Sequence, residues 1–461
     1  MAPETHGVTP QNGEAGEVVL YAYQADGSLL DYAAFRKRQS NGASGDTGHN
    51  DALLHADSLA VADMWPLEEA EGATARLTLP EGGPFTLSLA WPTSHGYSAL
   101  MADLNGPGSY DLHEVAARTL HNRQQERIQA GPQPDAAIVA ARSKTEAELA
   151  RCNSLEIGPE KGTSAVQCLE LAAEAQLMLD RALTANTPAS AFIAVTFTRV
   201  PNAAEVTALS AITGGKRTPA VRLVVSDLGQ VDDWARTIDA IHAIGGQAVV
   251  QVCDSYQLPD LSAAQYEERL NTLLTTLSAA DAWEVGNELA GNWLGEDPVG
   301  RTALAARRVR EMGKPTLLTL YYQLGEDDAE HSMFTWSQAS LKPDLMDLID
   351  VVGLSIYPQD HPLGTAAERV MTTLERTFPG KRVAITELGY QADDLAGLWW
   401  FGSATDANLA RRVVAEHLTS VGLGRAQSWG APFWWYYLED QAGDKDGIVS
   451  DMLAAVAAEG A

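Results

Sequence analysis

The spacing of apolar residues divides the chain into regions of different periodicity. Residues 1–16 are polar and predict a flexible N-terminus. Residues 17–110 contain short alternating runs between turn residues, which predict a sandwich-like antiparallel accessory β-domain. Residues 111–185 change to helical spacing and predict a helical connecting segment. Residues 186–461 alternate short β-branched runs with amphipathic stretches, a pattern typical of repeated βα units.

The C-terminal region contains eight predicted strands, enough to close a ring. They lie at 190–197, 219–226, 246–254, 282–288, 315–322, 350–358, 382–390 and 431–440. This pattern predicts an α/β fold with a (β/α)8 TIM barrel at 186–461 as the catalytic domain. A doubly wound open sheet is the alternative, but it normally has a glycine-rich phosphate loop after its first strand. The segment TFTRVPNAAE at 196–205 is not such a loop.

Charge and hydropathy limit the partners. The chain has 32 basic and 61 acidic residues, a net charge of −29. This surface disfavours nucleic acid and anionic membranes, so we expect neither as a partner. A general adaptation of the surface to salt or solubility accounts for the same charge. Without an apolar h-region near the start, we expect a cytoplasmic protein if the chain is complete, or an extracellular one if a signal peptide was removed. The oligomeric state stays open.

The cysteine pattern gives no sign of a metal or cofactor. Cys152, Cys168 and Cys253 form no CxxC motif and no cluster with histidines, so we expect no metal and no cofactor. Pairing of Cys152 with Cys168 in an oxidising compartment stays an open alternative.

Two predicted strands end in a carboxylate. Strand four ends at Glu288 and strand seven at Glu387, each after a buried apolar run. A carboxylate at such a position costs desolvation energy unless it is paired or lies in a cleft, and barrel enzymes place their chemistry at these strand ends. Strands four and seven stand three apart in a ring of eight, so both side chains can reach one pocket. A pair of carboxylates is what cleavage of a glycosidic bond requires.

Four motifs at strand ends resemble those of one enzyme clan. They are WEVGNELAGNW (283–293), VVGLSIYP (351–358), AITELGY (384–390) and PFWWYYLED (432–440). These segments resemble strands four, six, seven and eight of the clan A retaining glycoside hydrolases. They are most similar to the family 53 endo-β-1,4-galactanases, and VGNE with ITELG also to plant-type β-1,3-glucanases. The resemblance says nothing about residues 1–185.

The resemblance implies an endo-acting enzyme that cleaves β-glycosidic bonds in a neutral polysaccharide or oligosaccharide by double displacement. Glu288 would be the general acid/base and Glu387 the nucleophile. Asn287 would bind the sugar 2-hydroxyl, Tyr357 would contact the nucleophile and Arg222 would keep it ionised. For Arg222 a structural salt bridge is the alternative, and for Tyr357 packing at the barrel rim.

Further side chains are expected to contact carbohydrate. Strand alternation turns only one of Trp434 and Trp435 inward, where it could stack on a pyranose. We favour Trp435, because Glu439 follows it at a spacing that resembles that of the clan. Trp293, with Trp399 and Trp400, could form outer subsites or pack in the core.

Two polar residues close the predicted strands three and five. They are Asp254 and Tyr322, and each could bind sugar or make local hydrogen bonds.

Two other function classes compete with hydrolysis. A non-catalytic carbohydrate-binding barrel would keep the cleft and lose a carboxylate, but both are present. A lyase or a metal-dependent hydrolase would place clusters of histidine and aspartate at the strand ends, and the sequence has only scattered histidines.

Overall fold

A computed structural model describes most of the chain. The described residues are 15–42, 45–130, 134–213, 216–325, 328–390, 407–442, 453, 454 and 456. The chain divides into two compact units. Unit 1 comprises Met1–Ser94, Ser98–Gln176 and Leu324–Ala329, and unit 2 comprises His95–Tyr97, Leu177–Gln323 and Glu330–Ala461. In the described part of the chain, no helix is long and apolar enough to cross a membrane.

The first part of the chain contains two small sheets and several helices. The elements are β1 (Gly16–Tyr21), α1 (Tyr32–Arg38), β2 (Asp51–His55), β3 (Val61–Met64), β4 (Ala75–Leu79), β5 (Phe85–Thr93), β6 (Gly96–Leu104), β7 (Gly108–Asp111), α2 (Leu112–Ala130), α3 (Ala136–Asn153) and α4 (Pro159–Ala182). The sheet orders are β4-β1-β7 and β3-β2-β5-β6. The pairs β1–β4, β2–β3 and β2–β5 are antiparallel as predicted, but β1 and β7 are parallel.

Alternation in the sequence builds the core of unit 1. In β4, Ala75, Leu77 and Leu79 are buried while the residues between them are exposed. The buried side chains pack around Trp91, whose ring centroid lies 5.4 Å from that of Phe35. Cys152 and Cys168 are both buried free thiols rather than a disulfide.

The second part of the chain forms the predicted barrel. Its elements are β8 (Phe192–Phe197), α5 (Ala203–Ile212), β9 (Pro219–Val224), α6 (Val231–Ala243), β10 (Gln247–Gln251), α7 (Ala263–Thr276), β11 (Ala282–Leu289), α8 (Pro298–Glu311), β12 (Thr316–Tyr321), α9 (Met333–Ser340), α10 (Pro343–Met346), β13 (Val351–Ile356), α11 (Ala367–Thr377), β14 (Arg382–Leu388), α12 (Ala407–Leu423), β15 (Ser428–Trp434) and α13 (Tyr437–Ala442). Strands β8 to β15 close a ring in which every neighbouring pair is parallel. The TIM-barrel prediction is therefore confirmed.

The last strand differs from its prediction. We expected a strand at 431–440, but β15 is Ser428–Trp434 and α13 begins at Tyr437. The reason is that the last ladder partner of β15 is Trp434, after which the backbone N–H of Trp435 bonds to the Leu388 carbonyl at 2.8 Å and the chain turns. An aromatic run alone does not reveal where a sheet ends.

The barrel interior changes from apolar to polar along the strands. An apolar cluster includes Ala194, Ala220, Val249, Ala282, Leu317, Val351, Ala384, Trp429 and Phe433. Two residues further along four of these strands, on the same face, stand Arg222, Glu284, Thr319 and Thr386. All four are fully or almost fully buried. Beyond this layer, towards the carboxyl ends of the strands, lie the two glutamates singled out from the sequence.

Candidate active site

Both strands that carry a candidate glutamate lose their regular register near it. The pairing of β11 with β12 shifts between Gly286 and Leu289. The pairing of β13 with β14 shifts so that Leu354 faces Ile385 while Ser355 faces Glu387. An extra residue at a bulge re-aims the side chains that follow it. Simple alternation therefore does not predict the direction of Glu288 or Glu387.

Glu387 is buried in a set of polar partners. Its Oε2 lies 2.7 Å from Nη2 of Arg222, and its Oε1 accepts a 2.5 Å hydrogen bond from the Tyr357 hydroxyl. Asn287 Nδ2 donates to Oε2 at 3.4 Å. Burial raises the pKa of Glu387, and Arg222 and Tyr357 oppose that rise. The structure thus brings together all four of these predicted site residues.

Arg222 also bonds to a carboxylate that sequence reasoning missed. Its Nε donates to Oε2 of Glu284 at 2.7 Å, and Thr319 donates its hydroxyl hydrogen to the other oxygen of Glu284. Burial alone lowers the pKa of Arg222, but the carboxylates of Glu284 and Glu387 reverse this and raise it. Arg222 is therefore a fixed positive charge between two buried carboxylates, so a structural ion pair and a contact with Glu387 are both present.

Glu288 is held by hydroxyl groups instead of a cation. Ser255 donates to its Oε2 at 2.6 Å and Ser355 to its Oε1 at 2.7 Å. Burial raises the pKa of Glu288 to about 8, the charge of Glu387 adds to the rise, and the two serines oppose it. Because Arg222 pairs with Glu387 and not with Glu288, the first proton to leave this coupled pair comes from Glu387.

The two glutamates share neighbours. Asn287, which precedes Glu288, reaches Glu387 with its side-chain amide. Ser355, which bonds to Glu288, stands opposite Glu387 in the sheet register. Asn287 is itself oriented by the backbone N–H of Ser255, which bonds to its Oδ1 at 2.9 Å. The carboxylates therefore belong to one connected cluster.

The backbone at Glu288 adopts a conformation that side chains other than glycine rarely take. Its φ is +50°, in the left-handed region. A non-glycine residue held there costs roughly 1–3 kcal/mol, and such strain collects at functional sites. The outlier coincides with the register shift in β11 and sets the direction of the carboxylate.

The two tryptophans at the end of β15 lie in different surroundings. Trp435 is half-buried, and the guanidinium carbon of Arg222 lies 5.6 Å from its ring centroid. Trp434 is fully buried and donates its indole N–H to Asp440 at 2.7 Å. Trp435 is therefore the tryptophan beside the Glu387 cluster.

The remaining predicted residues lie at different depths. Asp254 is half-buried, accepts the Tyr256 backbone N–H at 3.0 Å, and raises the pKa of both glutamates with its charge. Trp293 is half-buried and its ring stacks on Tyr256. Tyr322 is not brought to the cluster, because it is buried and its hydroxyl donates to the Pro362 carbonyl at 3.0 Å.

Two of the predicted outer tryptophans, Trp399 and Trp400, lie outside the described residues. Within the described ranges, no group of three His, Cys, Asp or Glu side chains is arranged to hold a metal ion.

Three residues of the cluster were not found from the sequence. Glu284 could have been, since it is an acidic residue inside a predicted buried strand and Arg222 needed a partner. Ser255 and Ser355 gave no such signal, because serine is common at strand ends whether or not it bonds to a carboxylate.

Comparisons with known proteins give weak likenesses. No model of a protein family matches the chain, and no curated protein sequence matches it. It is similar to an FMN-binding β-glucuronidase from Faecalibacterium prausnitzii L2-6, with 10% identity and a TM-score of 0.37 over 53% of this chain and 37% of that one. It is also similar to a GH5-4 broad-specificity endoglucanase from Clostridium longisporum, with 12% identity and a TM-score of 0.37 over 57% of this chain and 87% of that one.

A different enzyme class stands among the same neighbours. The chain is similar to a mandelate racemase/muconate lactonizing enzyme from Roseiflexus sp., with 13% identity and a TM-score of 0.29 over 77% of this chain and 83% of that one. The chain spans less than half the length of the glucuronidase. Likenesses of this strength carry no argument about chemistry, which has to come from the site itself.

Proposed function

We propose that this protein is a retaining β-glycoside hydrolase with Glu288 as general acid/base and Glu387 as nucleophile. The observation that carries the proposal is the different environment of two neighbouring buried carboxyl groups. Arg222 and Tyr357 stabilise charge on Glu387, while Glu288 has a pKa raised to about 8 and only hydroxyl partners. Such a pair supplies one carboxylate whose charge a cation stabilises and one carboxyl group that holds its proton near neutral pH, as this reaction requires.

The reaction would proceed in two displacements. In the first, a carboxylate oxygen of Glu387 bonds to the anomeric carbon while the proton of Glu288 passes to the departing glycosidic oxygen. In the second, the ionised Glu288 takes a proton from water, and the water oxygen replaces Glu387 on that carbon. Asn287, between the two glutamates, would bind the 2-hydroxyl of the reacting sugar, and Trp435 would stack on its ring.

Local charge supports a neutral substrate. The charge of Asp254 acts on both glutamates, and that of Asp360 acts on the hydroxyl groups of Tyr256 and Tyr390. These carboxylates would repel the anionic groups of a uronic acid. We therefore include a neutral oligosaccharide or polysaccharide in the proposal. Cleavage within the chain is a separate part of the proposal, which the lengths of the products test.

A substrate panel with product analysis tests the proposal. We expect one or more of the β-glucans, galactans, mannans and xylans to release new reducing ends. NMR should detect the β-anomer first, since double displacement retains configuration, and early products of many lengths should indicate endo action. Release of the α-anomer first would contradict double displacement. Binding to a polysaccharide without any release would favour the non-catalytic barrel.

A further inference from the structure

We propose that Tyr256, supported by Trp293, forms the binding subsite for the leaving-group sugar, so that the preferred leaving group is a pyranose ring and not a small alcohol. This inference rests on the proposed function and deepens it by naming what is bound on the acid side of the cleavage point. Nothing in the catalytic roles of Glu288 and Glu387 requires these two rings.

Tyr256 is exposed, and its ring packs against a series of other aromatic rings. Its side chain is 70% exposed, yet its ring stacks on Trp293 with centroids 5.4 Å apart and planes 11° from parallel. Trp293 meets Tyr321 edge-on at 4.8 Å, and Tyr321 meets His361 edge-on at 5.4 Å. The rings come from the ends of strands β10 to β13 or the loops after them. An exposed tyrosine without such support would be free to rotate.

The ring stands on the side of Glu288. Tyr256 follows Ser255, whose hydroxyl donates to Oε2 of Glu288. Burial raises the pKa of Tyr256, and the charge of Glu288 contributes more to the rise than that of Glu387. Trp435 instead lies next to Arg222, the cation that pairs with Glu387.

The position of the acid decides which sugar would lie on Tyr256. Glu288 gives its proton to the leaving oxygen, so the group next to Glu288 and away from Glu387 is the departing one. A flat, exposed aromatic face suits the apolar face of a pyranose, and the parallel Trp293 keeps that face oriented. A small alcohol would leave most of the Tyr256 ring uncovered.

Two substrates that share a reacting sugar separate this subsite from the catalytic centre. One is an oligosaccharide fragment of a polysaccharide that the substrate panel shows to be cleaved. The other is the glycosyl fluoride of the same reacting sugar, whose leaving group, fluoride, has no ring. In Tyr256→Ala, kcat/KM for the oligosaccharide should fall about ten-fold, the size of a lost aromatic stacking contact. The value for the fluoride should stay unchanged.

Two further variants serve as controls. Tyr256→Phe keeps the ring and should keep the oligosaccharide rate. Leu409→Ala removes another exposed large apolar side chain, 44% exposed on α12, and should affect neither substrate.

The possible results distinguish the two proposals. A fall for the oligosaccharide alone supports the subsite. Equal falls for both substrates, or no fall for either, overturns the subsite and leaves the hydrolase proposal standing, because the wild-type protein still turns over both. A wild-type protein that cleaves no member of the substrate panel overturns both proposals.

Discussion

Both units contain buried arginines, and two of them, Arg36 and Arg222, have different kinds of partner. In unit 1, Arg36 forms an ion pair with Asp51 and also donates to the Leu67 carbonyl at 2.7 Å and the Tyr32 hydroxyl. In unit 2, Arg222 lies between the carboxylates of Glu284 and Glu387, and the charge of Glu387 also acts on Glu288. One positive charge there faces more acidic groups than it can neutralise.

The difference separates a structural ion pair from the cluster that we propose to be catalytic. The Arg36–Asp51 pair is balanced, and the remaining donors of Arg36 are used by neutral oxygens. In the barrel, Arg222 does not neutralise every carboxyl group of the cluster. Glu288 instead keeps a proton, because its pKa is raised to about 8. A buried proton that is held near neutral pH can be given to a substrate.

The largest expected effect comes from removing the carboxylate that Arg222 and Tyr357 stabilise. Glu387→Ala should lower kcat about 10⁴-fold or more, the usual size for a lost catalytic group. Azide should restore turnover and give a glycosyl azide of inverted configuration. The exposed Glu311 on α8 offers the control Glu311→Ala, which should keep full activity. A Glu387→Ala variant with nearly normal activity would refute the assignment.

Removing the protonated member should have a selective effect. Glu288→Ala should slow substrates with poor leaving groups by about 10²–10⁴-fold, because their oxygen needs a proton as it departs. Activated aryl glycosides should suffer far less in the first displacement. Steady-state and burst kinetics on both substrate types measure this, and equal losses would argue against an acid role.

The balanced pair in unit 1 should affect stability and leave chemistry unchanged. Asp51→Ala leaves Arg36 buried without its counter-charge, which should lower the free energy of unfolding by about 3–5 kcal/mol. Denaturant titration measures this loss. The folded variant should keep its kcat/KM. A change in kcat/KM would contradict the view that Arg36 has only a structural role.

The raised pKa of Glu288 gives a pH dependence with a definite sign. The acid must be protonated to act, so kcat/KM should fall as pH rises through about 8. Stability should follow the same direction, because the unfolded carboxyl group loses its proton near the ordinary pKa of 4.5 while the folded one keeps it up to about 8. The free energy of unfolding should therefore fall as pH rises between these two values. Thermal melts of the wild type and Glu288→Gln across pH 4–9 should show a smaller pH dependence in the variant.

The smallest expected effect is at Glu284, the carboxylate that competes for Arg222. Its charge raises the pKa of Glu387, so Glu284→Gln should move the acidic limb of the kcat/KM profile to lower pH. Glutamine keeps an oxygen for Thr319, which limits the structural change. A lower rate with an unmoved profile would indicate that Glu284 only supports packing.

The sequence predicted the barrel well because its strands are long apolar runs with helices between them, and such periodicity survives local irregularity. It predicted Glu288, Glu387 and Arg222 as site residues because a charge inside or at the end of a buried strand costs desolvation free energy unless it is paired or lies in a cleft. It did not predict Ser255 or Ser355, whose contacts depend on register shifts that break alternation. Tyr322 shows the same limit, since it was predicted to close strand five at the site, whereas its neighbour Tyr321 is the residue whose ring meets Trp293.

The left-handed backbone at Glu288 has a consequence for how this position could change. Glycine is the residue that such a backbone accepts without strain, so the fold alone would favour glycine there. Glu288→Gly would relieve the strain at this one backbone position and would remove the proposed general acid. Backbone strain and the proposed proton transfer therefore place opposite demands on the residue at this position. A protein with the same barrel and glycine there would lack the proposed general acid.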